Sequence, residues 1–323
     1  MTTDTTHSGR THTRRSILQS AVAGAMLLGI SRFTLASAAD RKFKITLSPG
    51  MLGIRANLHE CLELASKFGF EGIEPIISDL AKLTPDELAQ TQADLKARNL
   101  VLGCTMPAMP FSGPEGSYRS FVKKLPETAA VLQKAGGTRI GTWLLPSDEK
   151  LTYLENFHRH TARIKEVAKI LDDHGIRFGL EYLGPRTMRA RAKFPFVHCM
   201  KEMRELLAET GATNVGIVLD SWHWFNAQDT TNDIRALKNE DIIYIHLNDA
   251  PAGVPLDQQV DNHRCLPATT GVIDIAGFLD ALLAIGYDGP AAAEPFDDEL
   301  KKMPREEACQ RGIDAIHRAL DKA

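Results

Sequence analysis

The sequence predicts a single (β/α)8 barrel, a TIM barrel of class α/β, on three observations. From Lys44 onward, short β-type runs alternate with amphipathic stretches eight times. Eight such units in about 280 residues match the usual size of this barrel. The segment after the first run, Ser48-Pro49-Gly50-Met51-Leu52-Gly53, is not the glycine-rich phosphate turn that opens a doubly wound sheet.

The 323 residues are 43% hydrophobic and 24% charged, the composition of a globular chain rather than a disordered or coiled-coil one. The 38 basic and 41 acidic residues leave a formal charge of −3. No overall cationic field is available to hold nucleic acid or an anionic membrane, so neither is expected as a partner. The five cysteines, at 61, 104, 199, 265 and 309, form no CxxC pair, which argues against a thiolate zinc knuckle or a disulfide scaffold.

Taken in order, the first element is an address rather than part of the fold. Thr13-Arg14-Arg15-Ser16-Ile17-Leu18 resembles the twin-arginine export motif. The apolar run Ala21 to Ile30 follows, and Ala36-Ser37-Ala38 is a small-x-small cleavage site. The run is well short of the ~20 residues that span a bilayer. Residues 1–38 are therefore expected to be a cleaved signal peptide and 39–323 the barrel, exported to the periplasm with no stable membrane insertion after processing. The twin-arginine route carries proteins already folded, which suits a cofactor loaded beforehand.

The strands are expected at Lys44–Ser48, Gly72–Ile76, Val101–Thr105 and Arg139–Leu144, then at Arg177–Tyr182, Val215–Asp220, Ile242–Leu247 and Ala291–Glu294. Between the first two, Leu58, Cys61, Leu62, Leu64, Ala65 and Phe68 recur at helical spacing and stop at Gly69. Thr84-Pro85-Asp86-Glu87 reads as an N-cap, a first-turn proline and an acid three residues on. Further helices run from Phe157 to His174, ended by Gly175, and from Arg305 to Leu320.

In such a barrel the C-terminal strand ends line the active-site mouth. Four consecutive runs close on metal-binding side chains: Glu181, Asp220, His246 and Glu294. One acid at a strand end is commonly a cap or an ion pair. Four such groups in succession converge on one side of the mouth. Three carboxylates with no cation among them repel, and a divalent ion relieves that repulsion.

These pieces resemble the xylose isomerase-like TIM-barrel superfamily, the sugar phosphate isomerase/epimerase family. The matching segments are Gly179-Leu180-Glu181, Leu219-Asp220-Ser221-Trp222-His223, His246-Leu247-Asn248-Asp249 and Gly286-Tyr287-Asp288-Gly289 ahead of Glu294. The resemblance implies one divalent ion, Mn2+ or Mg2+ with Co2+ or Zn2+ as alternatives, on Glu181, Asp220, His246 and Glu294. It also implies that Glu181 and Glu294 move a proton beside a substrate carbonyl, making an isomerase or epimerase of a sugar, ketose or polyol derivative.

His223, Arg264, Asp249, Glu74 and Trp143 are the candidate substrate contacts, each weighed against a plain structural role. Tyr182, Trp222, Trp224 and Phe225 also gather near strand ends, where core packing competes with sugar stacking. After Glu181 the family's further Glu is missing, and Arg186, Arg189, Arg191 and Lys193 crowd the loop instead. A solvated basic loop or an acidic substrate both fit. A lyase on the same scaffold, an inosose dehydratase or a 3-keto-glycoside eliminase, shares the proton abstraction. An endonuclease IV-like enzyme lacks its extra histidines here, and a non-catalytic sugar-binding barrel would not need four intact ligands. A homo-oligomer stays open.

Overall fold

The structure, a computed structural model, describes residues 41–323. The expected signal peptide lies outside the described residues. Eight parallel strands occur in chain order: β1 (Lys44–Leu47), β2 (Gly72–Ile73), β3 (Val101–Leu102), β4 (Arg139–Leu144), β5 (Arg177–Tyr182), β6 (Val215–Asp220), β7 (Ile242–Leu247) and β8 (Pro290–Ala293). Their order in the sheet is β3-β2-β1-β8-β7-β6-β5-β4. A parallel bridge from Thr105 to Ile140 joins β3 to β4 and closes the barrel.

β2 and β3 are shorter than expected, because Pro75 brings no N–H and a fixed φ just beyond β2. Past β3 the chain meets β4 where Gly141 N–H donates to Thr105 O at 2.8 Å and where Met109 N–H donates to the Thr142 hydroxyl at 3.2 Å.

Helices cover the outside. α1 (Leu58–Phe68) is opened by an Asn57/Glu60 capping box and closed by Gly69 at φ 80°, a left-handed turn that suits glycine. α2 (Pro85–Ala97) has the Thr84/Glu87 box and first-turn proline expected of it. α3 (Glu115–Ala135) and α4 (Tyr153–Asp172) follow. α4 starts a turn earlier than the apolar period alone indicates, since Thr152 and Glu155 form its box. α5 (Met200–Thr210), α6 (Ser221–Ala227), α7 (Ile275–Ala284) and α8 (Arg305–Leu320) follow, with short helical turns at Ile77–Leu80, Arg186–Arg189 and Thr231–Arg235. Most lay an apolar stripe on the sheet, while α2 buries only Leu95, and each fully buried Leu or Ile contributes about 1.5–3 kcal/mol.

A second, smaller core fills the barrel itself: Cys104, Val218, Ile243, Tyr244 and Ala292, with Met106 against them. Its width leaves no room for more. A Cβ on Gly179 would meet Val218 Cγ2 at 2.7 Å, and one on Gly141 would meet Met106 Sδ at 2.4 Å. That plug is the floor of the mouth. No helix among the described residues is long and apolar enough to cross a membrane.

Candidate metal centre

The penultimate residues of β5 and β7, the last residue of β6 and the residue just past β8 carry the expected side chains to one point. Register explains part of this: Asp220 on β6 sits opposite His246 on β7, and His246 opposite Ala292, two residues before Glu294. His246 Nδ1 lies 3.1 Å from Glu181 Oε1, 3.2 Å from Glu294 Oε2 and 3.7 Å from Asp220 Oδ2. One ligand atom from each of the four falls within 4.8 Å of the others, and all four residues are buried.

These spacings suit a cation. Donors on bonds of about 2.1 Å stand about 3.0 Å apart at right angles and about 3.4 Å apart in a tetrahedron. A buried three-carboxylate, one-imidazole set is a hard, anionic donor group of the kind that takes Mn2+, Mg2+ or Zn2+.

The electrostatics are tightly linked. Burial raises the Glu181 carboxyl, and the neighbouring Glu294 charge raises it further. Burial works the same way on Glu294, but His246 and Arg264 outweigh it and hold that carboxyl low. Burial alone would depress His246, yet the charges of Glu294 and Glu181 carry it well above its ordinary value.

One expectation is corrected here: the carboxylates do have a cation among them. Arg264 is buried, and its Nη1 donates to Asp220 Oδ2 at 2.8 Å and Glu294 Oε2 at 2.7 Å. Its Nη2 reaches Asp261 Oδ1 at 2.8 Å and His223 Nε2 at 3.2 Å. Phe296 covers the guanidinium at 4.7 Å and Trp222 faces it at 5.5 Å. With Arg264 included, three carboxylates still leave an excess of negative charge that a divalent ion would balance.

His223 lines the same wall. It is buried, accepts from Gly184 N–H at Nδ1 (3.3 Å), and is pushed down to about 4 by burial and by Arg264. Glu74 is half-buried, takes the Ser48 hydroxyl, and has its carboxyl raised by burial. It forms no ion pair with a described residue, so the salt-bridge alternative falls. Trp143 sits opposite Glu181 in the β4–β5 register and is 37% exposed. With Met109, Phe111 and Leu145 it borders an open cavity of about 280 Å3. A larger cavity of about 740 Å3 lies on the outside, between α5 and residues 233–241, and contains none of these groups.

Asp249 is a second correction. Its carboxylate is fully buried and accepts four main-chain N–H groups, from Ala250, Ile273, Thr270 and Gly271. No acceptor is left over for a sugar hydroxyl. Tyr182, Trp222 and Trp224 are core, and Phe225 packs against it. Arg186, Arg191 and Lys193 are exposed, with Arg186 3.6 Å from Asp257, so the basic loop after β5 is a solvated rim.

Three contributors escaped the sequence reading. Asn248 Nδ2 donates to Asp220 Oδ1 at 2.9 Å, while Trp222 N–H donates to the same oxygen at 2.6 Å; together they aim Oδ2 at the centre. Asn248 lies inside a quoted motif and was within reach. Asp261 was legible, with His223 and His263, only as a partial mimic of an extra metal site in the endonuclease IV-like alternative, not as a partner of Arg264. Phe296 adopts φ 42°, a strained left-handed conformation for a bulky side chain, which no sequence pattern signals.

Comparison with known proteins places the chain in context. The family described as xylose isomerase-like TIM barrel matches residues 62–319. A 3-dehydroshikimate dehydratase of Pseudomonas putida is 24% identical over 272 residues, 82% of this chain and 40% of that protein. The chain thus spans about two fifths of the length of the dehydratases it matches. An inosose isomerase of Bacillus velezensis is 22% identical over 270 residues, covering 83% of this chain and 93% of that one. Among solved structures, the IOLI protein with a binding zinc atom superposes with a TM-score of 0.74 at 21% identity, over 87% of this chain and 99% of the other.

Proposed function

Because this chain belongs to the xylose isomerase-like TIM barrel family, we propose that it is a divalent-metal-dependent isomerase or epimerase of a sugar, ketose or polyol derivative. The observation that carries this reading is the buried cluster of Glu181, Asp220, His246 and Glu294 at the barrel mouth. These four residues would hold the ion, with Mn2+ or Mg2+ favoured by the oxygen-rich donor set. When bound, the ion would polarise a substrate carbonyl and the adjacent hydroxyl as a Lewis acid.

The rest is done by the chain. Asp220 is aimed by Asn248 and the first turn of α6. Glu181 and Glu294 approach from β5 and from the end of β8, so one carboxylate can take the proton beside the carbonyl while the other returns one. Arg264, with its N–H groups spent on Asp220, Glu294, Asp261 and His223, and His223 beside it form the charged wall next to the cluster. The plug of Tyr244, Val218 and Ile243 closes the floor against water. Trp143 supplies an aromatic face for the C–H side of a sugar.

A lyase outcome is the second reading, supported by relatives named as dehydratases. The same proton abstraction leads to elimination when a leaving group stands β to the carbonyl. Incubation of the Mn2+-loaded protein with ketoses, inososes and 3-keto-glycosides in D2O, followed by NMR, separates the two. Metal-dependent C–H exchange with an epimer or aldose appearing is the expected result. Exchange accompanied by loss of water or an aglycone moves the protein to the lyases. No exchange on any substrate overturns both.

We also propose that residues 1–38 are a twin-arginine leader and that the barrel, residues 39–323, works in the periplasm. The support is the Arg14-Arg15 pair, the apolar run from Ala21 to Ile30 and the Ala36-Ser37-Ala38 site.

A further inference from the structure

Arg264 reaches the acidic cluster from the long loop between β7 and α7, and a guanidinium can be held at two carboxylates only if its backbone is held too. Cys265, the next residue, exchanges main-chain hydrogen bonds with Asp249 in both directions, at 2.9 and 2.8 Å. The Asp249 carboxylate then ties the loop's two feet together. Oδ1 accepts from Ala250 at 2.9 Å and Ile273 at 3.0 Å; Oδ2 accepts from Thr270 at 2.9 Å and Gly271 at 2.8 Å. The Thr270 hydroxyl adds a bond to Ala250 O at 2.6 Å. No Lys, Arg or His among the described residues pairs with Asp249, so main-chain N–H groups alone balance its charge. An amide cannot replace it, because an NH2 group would face donors rather than acceptors.

We infer that Asp249 is the positioning residue for Arg264: by clamping the loop it holds the guanidinium on Asp220 and Glu294 and so sets how tightly the cluster takes a divalent cation. This rests on the metal-centre reading above. Arg264 places a positive charge 2.7–2.8 Å from two donor oxygens. That charge competes with any second cation at the same atoms. Loosening the clamp therefore strengthens divalent binding. A carboxylate that served the fold alone would act oppositely, since a disordered site binds its ion less well.

The test is calorimetric titration of the full chain with Mn2+, for the unmodified protein, Asp249→Asn, Arg264→Gln and the double variant. Each single variant is expected to bind roughly tenfold tighter. The double variant should bind no tighter than Arg264→Gln alone. Weaker binding by Asp249→Asn, or effects that multiply in the double variant, overturns the inference. Thr270→Ala removes only the hydroxyl tie and should give a smaller shift of the same sign, which keeps the test open if Asp249→Asn does not fold; a shift of opposite sign overturns it as well. An unmodified protein that takes up no Mn2+ sinks the metal reading itself, and this inference with it.

Discussion

Glu294 touches both His246 and Arg264, and a glutamine there separates its charge from its volume. Glu294→Gln keeps the size and removes the charge. We expect turnover to fall by on the order of 10²-fold or more, with a smaller loss of metal affinity than His246→Ala. Steady-state rates and Mn2+ titration of both variants check this, and equal losses of affinity would count against a proton-moving role. At this scale the sequence was informative where the backbone dictates direction. Glu181, Asp220, His246 and Glu294 end regular strands, so their side chains follow from the pleat. Arg264 and Asp249 lie in or beside a long loop, where spacing places a residue near the site without saying what it touches. That is why Arg264 was legible as a candidate and its seat between Asp220 and Glu294 was not, and why Asp249 was misread as a substrate contact.

Among the elements, β4 to β7 begin and end where the apolar runs do, because buried parallel strands read as continuous hydrophobic stretches. β2 and β3 kept only two residues each, since Pro75 ends the β2 edge on which β3 pairs. The α6 start was not read at all; Asp220 caps it through Trp222 N–H, so one side chain ends a strand, opens a helix and faces the centre. The loop after β5 presses on this helix at Gly184. A Cβ there would lie 2.3 Å from His223 O and 2.8 Å from Ala227 N, both backbone atoms. Gly184→Ala should therefore cost about 1–3 kcal/mol in urea unfolding. It should also raise KM by displacing His223. An unchanged unfolding midpoint would show that the loop yields without strain.

For the molecule as a whole, the eightfold alternation and the barrel it implies were legible; the single Thr105–Ile140 bridge that joins β3 to β4 was not, because one bridge leaves no mark on composition or period. The proposed leader bears on the same scale, since a barrel that is exported folded can carry its ion with it. Replacing Arg14 and Arg15 together by Lys should strand an unprocessed precursor in the cytoplasm; N-terminal sequencing of the periplasmic form of the parent should begin at Ala39. Periplasmic, processed protein from the Lys-Lys variant would remove the twin-arginine proposal. The placement of the four clustered groups has a wider consequence. All of them come from β5 to β8, whereas Glu74 and Trp143 come from β2 and β4. On the proposed reading the chain divides its labour by halves: the later half would be a chemical engine and the earlier half a selector set against it. Drift in residues 41–146 can redraw what the mouth accepts while the engine passes on unaltered, so a common reaction step can be inherited by descendants that share no substrate.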